Sequence, residues 1–225
     1  FDDINSFSYV SMTNIKKNYY GVEFGLDFKL TSFLNFKALG TWSDAKYINN
    51  ANVRYMNSTK ATYTDDIVYN KGMRESGTPL SAYSAILSFH QGGWFIDING
   101  NYYDRIFLSY APSRRYGQTL VTANDVDNDG NFIIPGQAKG NGGFMLDGSI
   151  GKSIYLRHGS LSINLMVSNI LNNQKIVSGG YEQSRSDYTL KTDGSRSDRA
   201  YKFSRNVKKY YANGINGMLN IAYKF

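Results

Sequence analysis

Apolar and polar residues alternate through seven stretches of the chain, each long enough to form a strand with one greasy side. In the first, Tyr19 to Leu30, Val22, Phe24, Leu26, Phe28 and Leu30 oppose Gly21, Glu23, Gly25, Asp27 and Lys29. The second, Leu34 to Tyr47, sets Leu34, Phe36, Ala38, Gly40 and Trp42 against Asn35, Lys37, Leu39, Thr41 and Ser43. Pro79 to His90 and Trp94 to about Leu108 repeat the pattern, as do Gly143 to Tyr155 and Leu161 to Ser168. The last, Tyr211 to Phe225, is expected as one long strand with Ile215, Leu219, Ile221, Tyr223 and Phe225 on its apolar side.

The connections alternate as well. Thr31 to Phe33, Gln91 to Gly93 and Arg157 to Gly159 are tight turns, whereas 48–78, 109–142 and 172–210 are polar, irregular loops of roughly thirty residues or more. In an up-and-down sheet alternate turns share an end, so all the long loops emerge together. That asymmetry is the expectation for an outer-membrane barrel, with short periplasmic turns and long extracellular loops. The fold class predicted is all-β, a transmembrane antiparallel up-and-down β-barrel with the carboxy terminus on the periplasmic side. A β-sandwich or propeller fragment with a buried face is the soluble alternative.

Composition agrees with strands. Among 225 residues there are 19 Tyr and 13 Phe, types that favour pleated surfaces. The mean hydropathy of -0.43 resembles that of a soluble protein, but inward polar residues lower this average in any barrel. Trp42, Trp94, Tyr155 and Tyr223 fall near strand ends, as interfacial belts require. The absence of Cys excludes disulfides and thiolate metal sites. The net charge of +7 is compatible with nucleic acid, but no recognition motif accompanies it and none is expected to bind. The opening FDDINSFSYV has neither region of a signal peptide, so either an export signal has been removed or the chain is a section of a longer one. Seven strands with open edges are not viable in lipid, and the expectation is that further strands lie upstream, with Phe7 and Tyr9 the remnant of a preceding loop or strand.

The phrases NYYGVEFGLDFKL, LGTWSDAKYINN, LMVSNILNNQKI and INGMLNIAYKF, in this order and spacing, resemble the carboxy-terminal part of TonB-dependent receptors, in particular the SusC-like transporters of Bacteroidetes-type bacteria. The resemblance covers nearly all of the chain. It implies the last seven strands of a barrel of about 22, whose plug domain and earlier strands are not in this sequence. It also implies active nutrient import (oligosaccharide, peptide or metal chelate) across the outer membrane, driven by the TonB complex. A passive porin-type channel is the alternative function. The implied partners are the outer membrane and its lipopolysaccharide, the barrel-assembly machinery and a surface lipoprotein lid of SusD type. Ile221, Tyr223 and Phe225 match the assembly signal of such barrels, although Asn220 stands where a Gly is common.

Several candidate sites remain. Glu23, Asp27, Lys37, Asp97, Asn99, Asn101, Asp147 and Asn164 lie on the polar face, where they would meet the plug or line a wet lumen. The segment 101–116, NYYDRIFLSYAPSRRY, offers Tyr103, Arg105, Tyr110, Arg114, Arg115 and Tyr116 as ligand contacts through aromatic faces and guanidinium forks. It could equally be a strand extension packing on neighbouring loops. Asp125, Asp127 and Asp129 before Gly130 imitate the first half of a calcium loop, but Gly136 stands where the bidentate Glu belongs. Calcium completed by other ligands and a plain Asx turn are the two readings. The basic run between Arg185 and Lys209 is either solvated or in contact with lipopolysaccharide phosphates. No nucleophile, base and orienting group share a motif, and His90 and His158 stand alone beside turns, so no enzyme is expected.

Overall fold

The computed structural model describes residues 8–57 and 62–225; Phe7 lies outside them. In chain order the elements are β1 (Ser8–Thr13), β2 (Lys17–Lys29), β3 (Leu34–Tyr47), β4 (Ala51–Asn57), β5 (Tyr63–Val68), β6 (Ser81–Gln91) and β7 (Trp94–Asp104). After the short helix α1 (Gly117–Ala123) come β8 (Gly143–Leu156), β9 (Gly159–Ser168), β10 (Val177–Tyr181), β11 (Tyr188–Leu190), β12 (Arg196–Asp198), β13 (Lys208–Tyr211) and β14 (Asn216–Lys224). The fold is all-β and antiparallel. Its main sheet has seven strands in the order β14-β9-β8-β7-β6-β3-β2, a meander in which each strand lies beside those that precede and follow it among the seven. Within the described residues the sheet is open, with β2 and β14 at its two edges.

Local chemistry makes the short turns. Gln91 pairs with Trp94, and Gly92 and Gly93 between them have φ of 58° and 79°. Two left-handed residues are what a two-residue hairpin turn matched to strand twist demands. At the β2–β3 turn the Thr31 hydroxyl accepts the N–H groups of Phe33 and Leu34, at 3.2 and 3.0 Å.

Directly opposed residues share a face, so the register sorts the side chains. Phe28, Phe36, Leu87 and Ile98 form one apolar row, and Leu34, Phe89, Ile96, Ile150, Leu165 and Leu219 form the next. The other face carries Asp27, Lys37, Ile86, Asn99 and Asp147 in one row. The apolar face is bare: Leu26 is 47% exposed, Ile98 48% and Leu219 60%. The buried residues lie elsewhere, chiefly at the long-loop end of the sheet. Ala51, Val53, Val68 and Tyr116 form one cluster there, and Ala45, Leu80 and Phe107 another.

Several expected boundaries move. β7 ends at Asp104 and not near Leu108, because Arg105 adopts a left-handed φ of 56°. Ile106, Phe107 and Leu108 then turn into the buried layer. The final strand is two: β13 pairs with β10, and β14 with β9. Between them Asn172 Oδ1 accepts the Ile215 N–H, and Asn169 Nδ2 donates to the Asn213 carbonyl, which takes this segment out of the ladder. The long connections are not irregular throughout. β1, β4 and β5 form a three-stranded sheet that extends the β2–β3 hairpin beyond its end, and β11 pairs with β12.

Candidate functional site in the loop layer

The three long connections converge on a cleft of about 520 Å³. The first supplies Tyr55 and Thr64 from β4 and β5; the second supplies Arg114, α1 and Asp125; the third supplies Asp187, Tyr188, Arg196, Asp198 and Lys202. Each wall has a local reason for its shape. Asp66 of β5 accepts the Gln118 N–H at 3.0 Å and so terminates the amino end of α1 from a different loop. Asn124, at φ 58°, closes the other end. Tyr55 stacks on buried Tyr116 with ring centroids 4.9 Å apart, and its hydroxyl donates to Gln118 Oε1 at 3.2 Å.

Cations and carboxylates share the cleft. Asp198 holds Lys202 at 2.9 Å and Arg196 at 3.6 Å, while Arg196 also covers the Tyr188 ring and donates to the Ala123 carbonyl. Asp187 accepts the N–H and the hydroxyl of Ser204. Burial pushes the Asp125 carboxyl above its ordinary range, against the opposing pull of Arg196 and Arg114. With hydroxyls from Thr64, Ser113, Thr119 and Thr122 around them, these groups can donate to and accept from a polar ligand on several sides at once.

Of the six residues expected to contact a ligand, Arg114 alone lines this cleft. Arg115 and Tyr116 are structural instead. Arg115 is wholly buried, bound to Glu182 and to the carbonyls of Ala111, Pro135 and Gly136, which leaves its fork no donor for a ligand. Tyr116 is 2% exposed within the core, and burial raises its hydroxyl to about 12. Tyr110 packs edge-on against Tyr47 and accepts from Asn70 at 3.0 Å. Tyr103 sits on the polar face of the sheet opposite Ala82 and Gly143. Arg105 lies at the sheet rim, 4.9 Å above the Trp42 ring.

The polar-face residues are joined laterally. Asp97 accepts from Ser88 and Ser149, Asn99 from Ser84, and Asp147 from Asn101 and the Asn169 N–H. Lys37 pairs with Asp27 at 3.3 Å. Glu23 stands opposite Thr41, and Asn164 lies opposite Asn220 with its Oδ1 buried and unpartnered.

In the aspartate run, Asp127 accepts the N–H groups of Asp129 and Asn131 and the Asn131 amide, which holds its carboxyl below the usual range. Among the described residues no three His, Cys, Asp or Glu side chains converge as a metal site. The basic run is partly folded inward, with Arg185 and Arg199 flanking the Phe203 ring at 5.4 and 5.8 Å. Ile221 and Tyr223 lie on the apolar face of β14, and Phe225 is 97% exposed beyond it.

Sequence reasoning missed Glu182 and Asn169. Glu182 gathers Arg115 and the N–H groups of Ala111 and Ala138. Asn169, 1% exposed at φ 52°, ties the end of β9 to Asn173 and Asn213. Only the asparagine richness of the 169–173 segment hinted at such a hub, since Asn tolerates left-handed backbone better than other side chains. No family model, curated protein or solved structure matches the chain.

Proposed function

We infer that the chain is the carboxy-terminal part of a TonB-dependent outer-membrane receptor, importing a nutrient gathered by the loop layer. One observation carries the reading: a seven-stranded meander with one continuous apolar face left uncovered while the buried core sits beyond its end. Water-soluble monomers rarely expose contiguous apolar patches larger than a few hundred Å². β6 and β7 are each 11 residues long, about the length of a tilted strand that crosses the hydrocarbon. The polar face is a ladder of hydrogen-bonded hydroxyls, amides and carboxylates, suited to a wet or plugged interior. In this reading the free edges of β2 and β14 join strands of the same barrel, and Ile221, Tyr223 and Phe225 present the assembly signal. The lipoprotein lid of SusD type would approach from the loop side.

The test is accumulation of nutrient by cells carrying the complete receptor, with and without a functional TonB protein. Uptake that stops when TonB is deleted, while the receptor remains in the outer membrane, supports active import. Undiminished uptake replaces this reading with the passive channel. Recovery of the full-length protein from the soluble fraction would sink both.

A further inference from the structure

The apolar face ends, on its long-loop side, in a compact group of charges. Trp42, Asp44 and Lys46 follow at two-residue spacing on β3 and so share that face. Arg74 lies directly opposite Lys46. Its Nε and Nη2 reach the Asp44 carboxylate at 2.7 and 3.5 Å, and its guanidinium lies 5.0 Å from the centre of the Phe107 ring. Arg105 approaches from β7's end, covers the Trp42 ring, and donates to Asp44 at 3.1 Å and to the Ser43 carbonyl at 2.6 Å. Tyr20 completes the group from β2, tilted against Trp42 with centroids 6.1 Å apart.

Two arginines hold one carboxylate here and Lys46 stands on the same face beside Arg74, so the group carries a surplus of positive charge. Asp44 is almost wholly buried between the arginines, whose side chains stay 32% and 24% exposed. The carboxylate thus orients both guanidinium groups without cancelling them. At about 3.3 Å per residue, Asp44 and Lys46 stand roughly 7 and 13 Å beyond Trp42 along the strand. With the aromatic ring at the edge of the hydrocarbon, the cations fall at headgroup depth. The left-handed backbone of Arg105, rare outside glycine, is what sends that side chain back over Trp42.

We propose that Arg74, Arg105 and Lys46 form a seat for the phosphate of an anionic lipid in the membrane leaflet on the loop side, its acyl chains lying along the apolar face below Trp42. The proposal rests on the membrane reading above. An acidic protein partner would not need the cations aligned with the top of an apolar band, whereas a phosphate carried on acyl chains needs both.

The experiment uses the complete receptor in nanodiscs of POPC containing roughly 30% POPG, with native mass spectrometry counting the POPG retained on release. The Arg74→Gln/Arg105→Gln double variant should retain about tenfold less POPG than the parent. Arg74→Lys/Arg105→Lys should hold most of it, and Lys46→Gln should give a smaller loss that does not depend on the arginine pair folding correctly. Arg54→Gln/Lys71→Gln makes the same change in net charge elsewhere in the loop layer and should retain POPG like the parent. Added inorganic phosphate should not displace the lipid; displacement would reduce the seat to a free-anion site and overturn the proposal. Equal retention by the parent, the Gln variants and the Lys46 variant overturns the lipid seat alone. Failure of the parent to enter nanodiscs overturns the membrane reading with it.

Discussion

Arg115 and Glu182, 67 positions apart, meet as a buried bidentate ion pair, Nη1 to Oε2 at 2.7 Å and Nη2 to Oε1 at 3.1 Å. The pair fastens the second long loop to the third. Removing one partner strands a charge in the interior, so Arg115→Met should destabilise the loop layer by about 3–5 kcal/mol. Adding Glu182→Leu should recover part of that loss and not all of it, because the Ala111 and Ala138 N–H groups then lack their acceptor. Protease susceptibility of the loops, compared with thermal melting, measures both steps.

The same carboxylate sets a pH dependence. Burial alone would raise Glu182, but the Arg115 guanidinium and the two N–H groups outweigh it and hold the group below the ordinary glutamate range. The folded state therefore binds fewer protons than the unfolded chain between the folded value and about 4.3. Its stabilisation should be complete above that ordinary value and decline as pH falls through the interval. Loop proteolysis followed from neutral pH to about pH 3 should show protection lost in this direction, and Glu182→Gln should remove the dependence. Protection that increased on acidification would contradict the sign.

The two sheet faces predict unequal responses to charge. Leu165 belongs to the apolar row with Ile150 and Leu219, whereas Asn164 faces the other way between Gly151 and Asn220. If the apolar face meets mid-bilayer lipid, Leu165→Arg should cost about 2–4 kcal/mol and Asn164→Arg far less. Folding titrations of the full-length protein into lipid vesicles measure the difference. Equal costs would count against the assignment of the faces.

The cleft supplies a separate test of ligand contact. Arg114 faces it, whereas Arg115 is enclosed. On the import reading proposed above, Arg114→Ala should weaken capture of the nutrient by about tenfold or more, as loss of a charge-assisted hydrogen bond does. The melting temperature should stay close to that of the parent. Uptake at limiting nutrient concentration, alongside a thermal melt, separates capture from stability.

The main sheet was legible because a period of two survives any loop inserted between strands. Each alternating stretch from Tyr19 to Lys224 became a strand of the seven, and the glycines at 92 and 93 marked their turn. Boundaries failed where a single backbone angle decided them, as at Arg105, since local apolar character in Ile106–Leu108 reads the same in a strand and in a core. The cleft was mostly hidden. Its walls come from Tyr55, Gln118, Asp125 and Tyr188, residues whose proximity arises from pairing of β4 with β1 and β5 and from the Arg115–Glu182 pair, long-range contacts that leave no periodic trace. Arg115 and Arg114 are adjacent and chemically identical in sequence; a buried carboxylate on another loop gives them opposite roles.

The separation of sheet and core bears on the order of assembly. Each strand of the meander pairs with the one before and the one after it among the seven, so the hairpins joined by tight turns can form with little loop closure. The loop layer has no such freedom, because Arg115 waits for Glu182, and Glu182 follows β9 in the chain. A molecule halted before that point would have strands in place and an unlocked top. Closure of the loops thus requires the chain as far as Glu182, and an antibody specific for the closed loop layer would recognise only chains that extend past it.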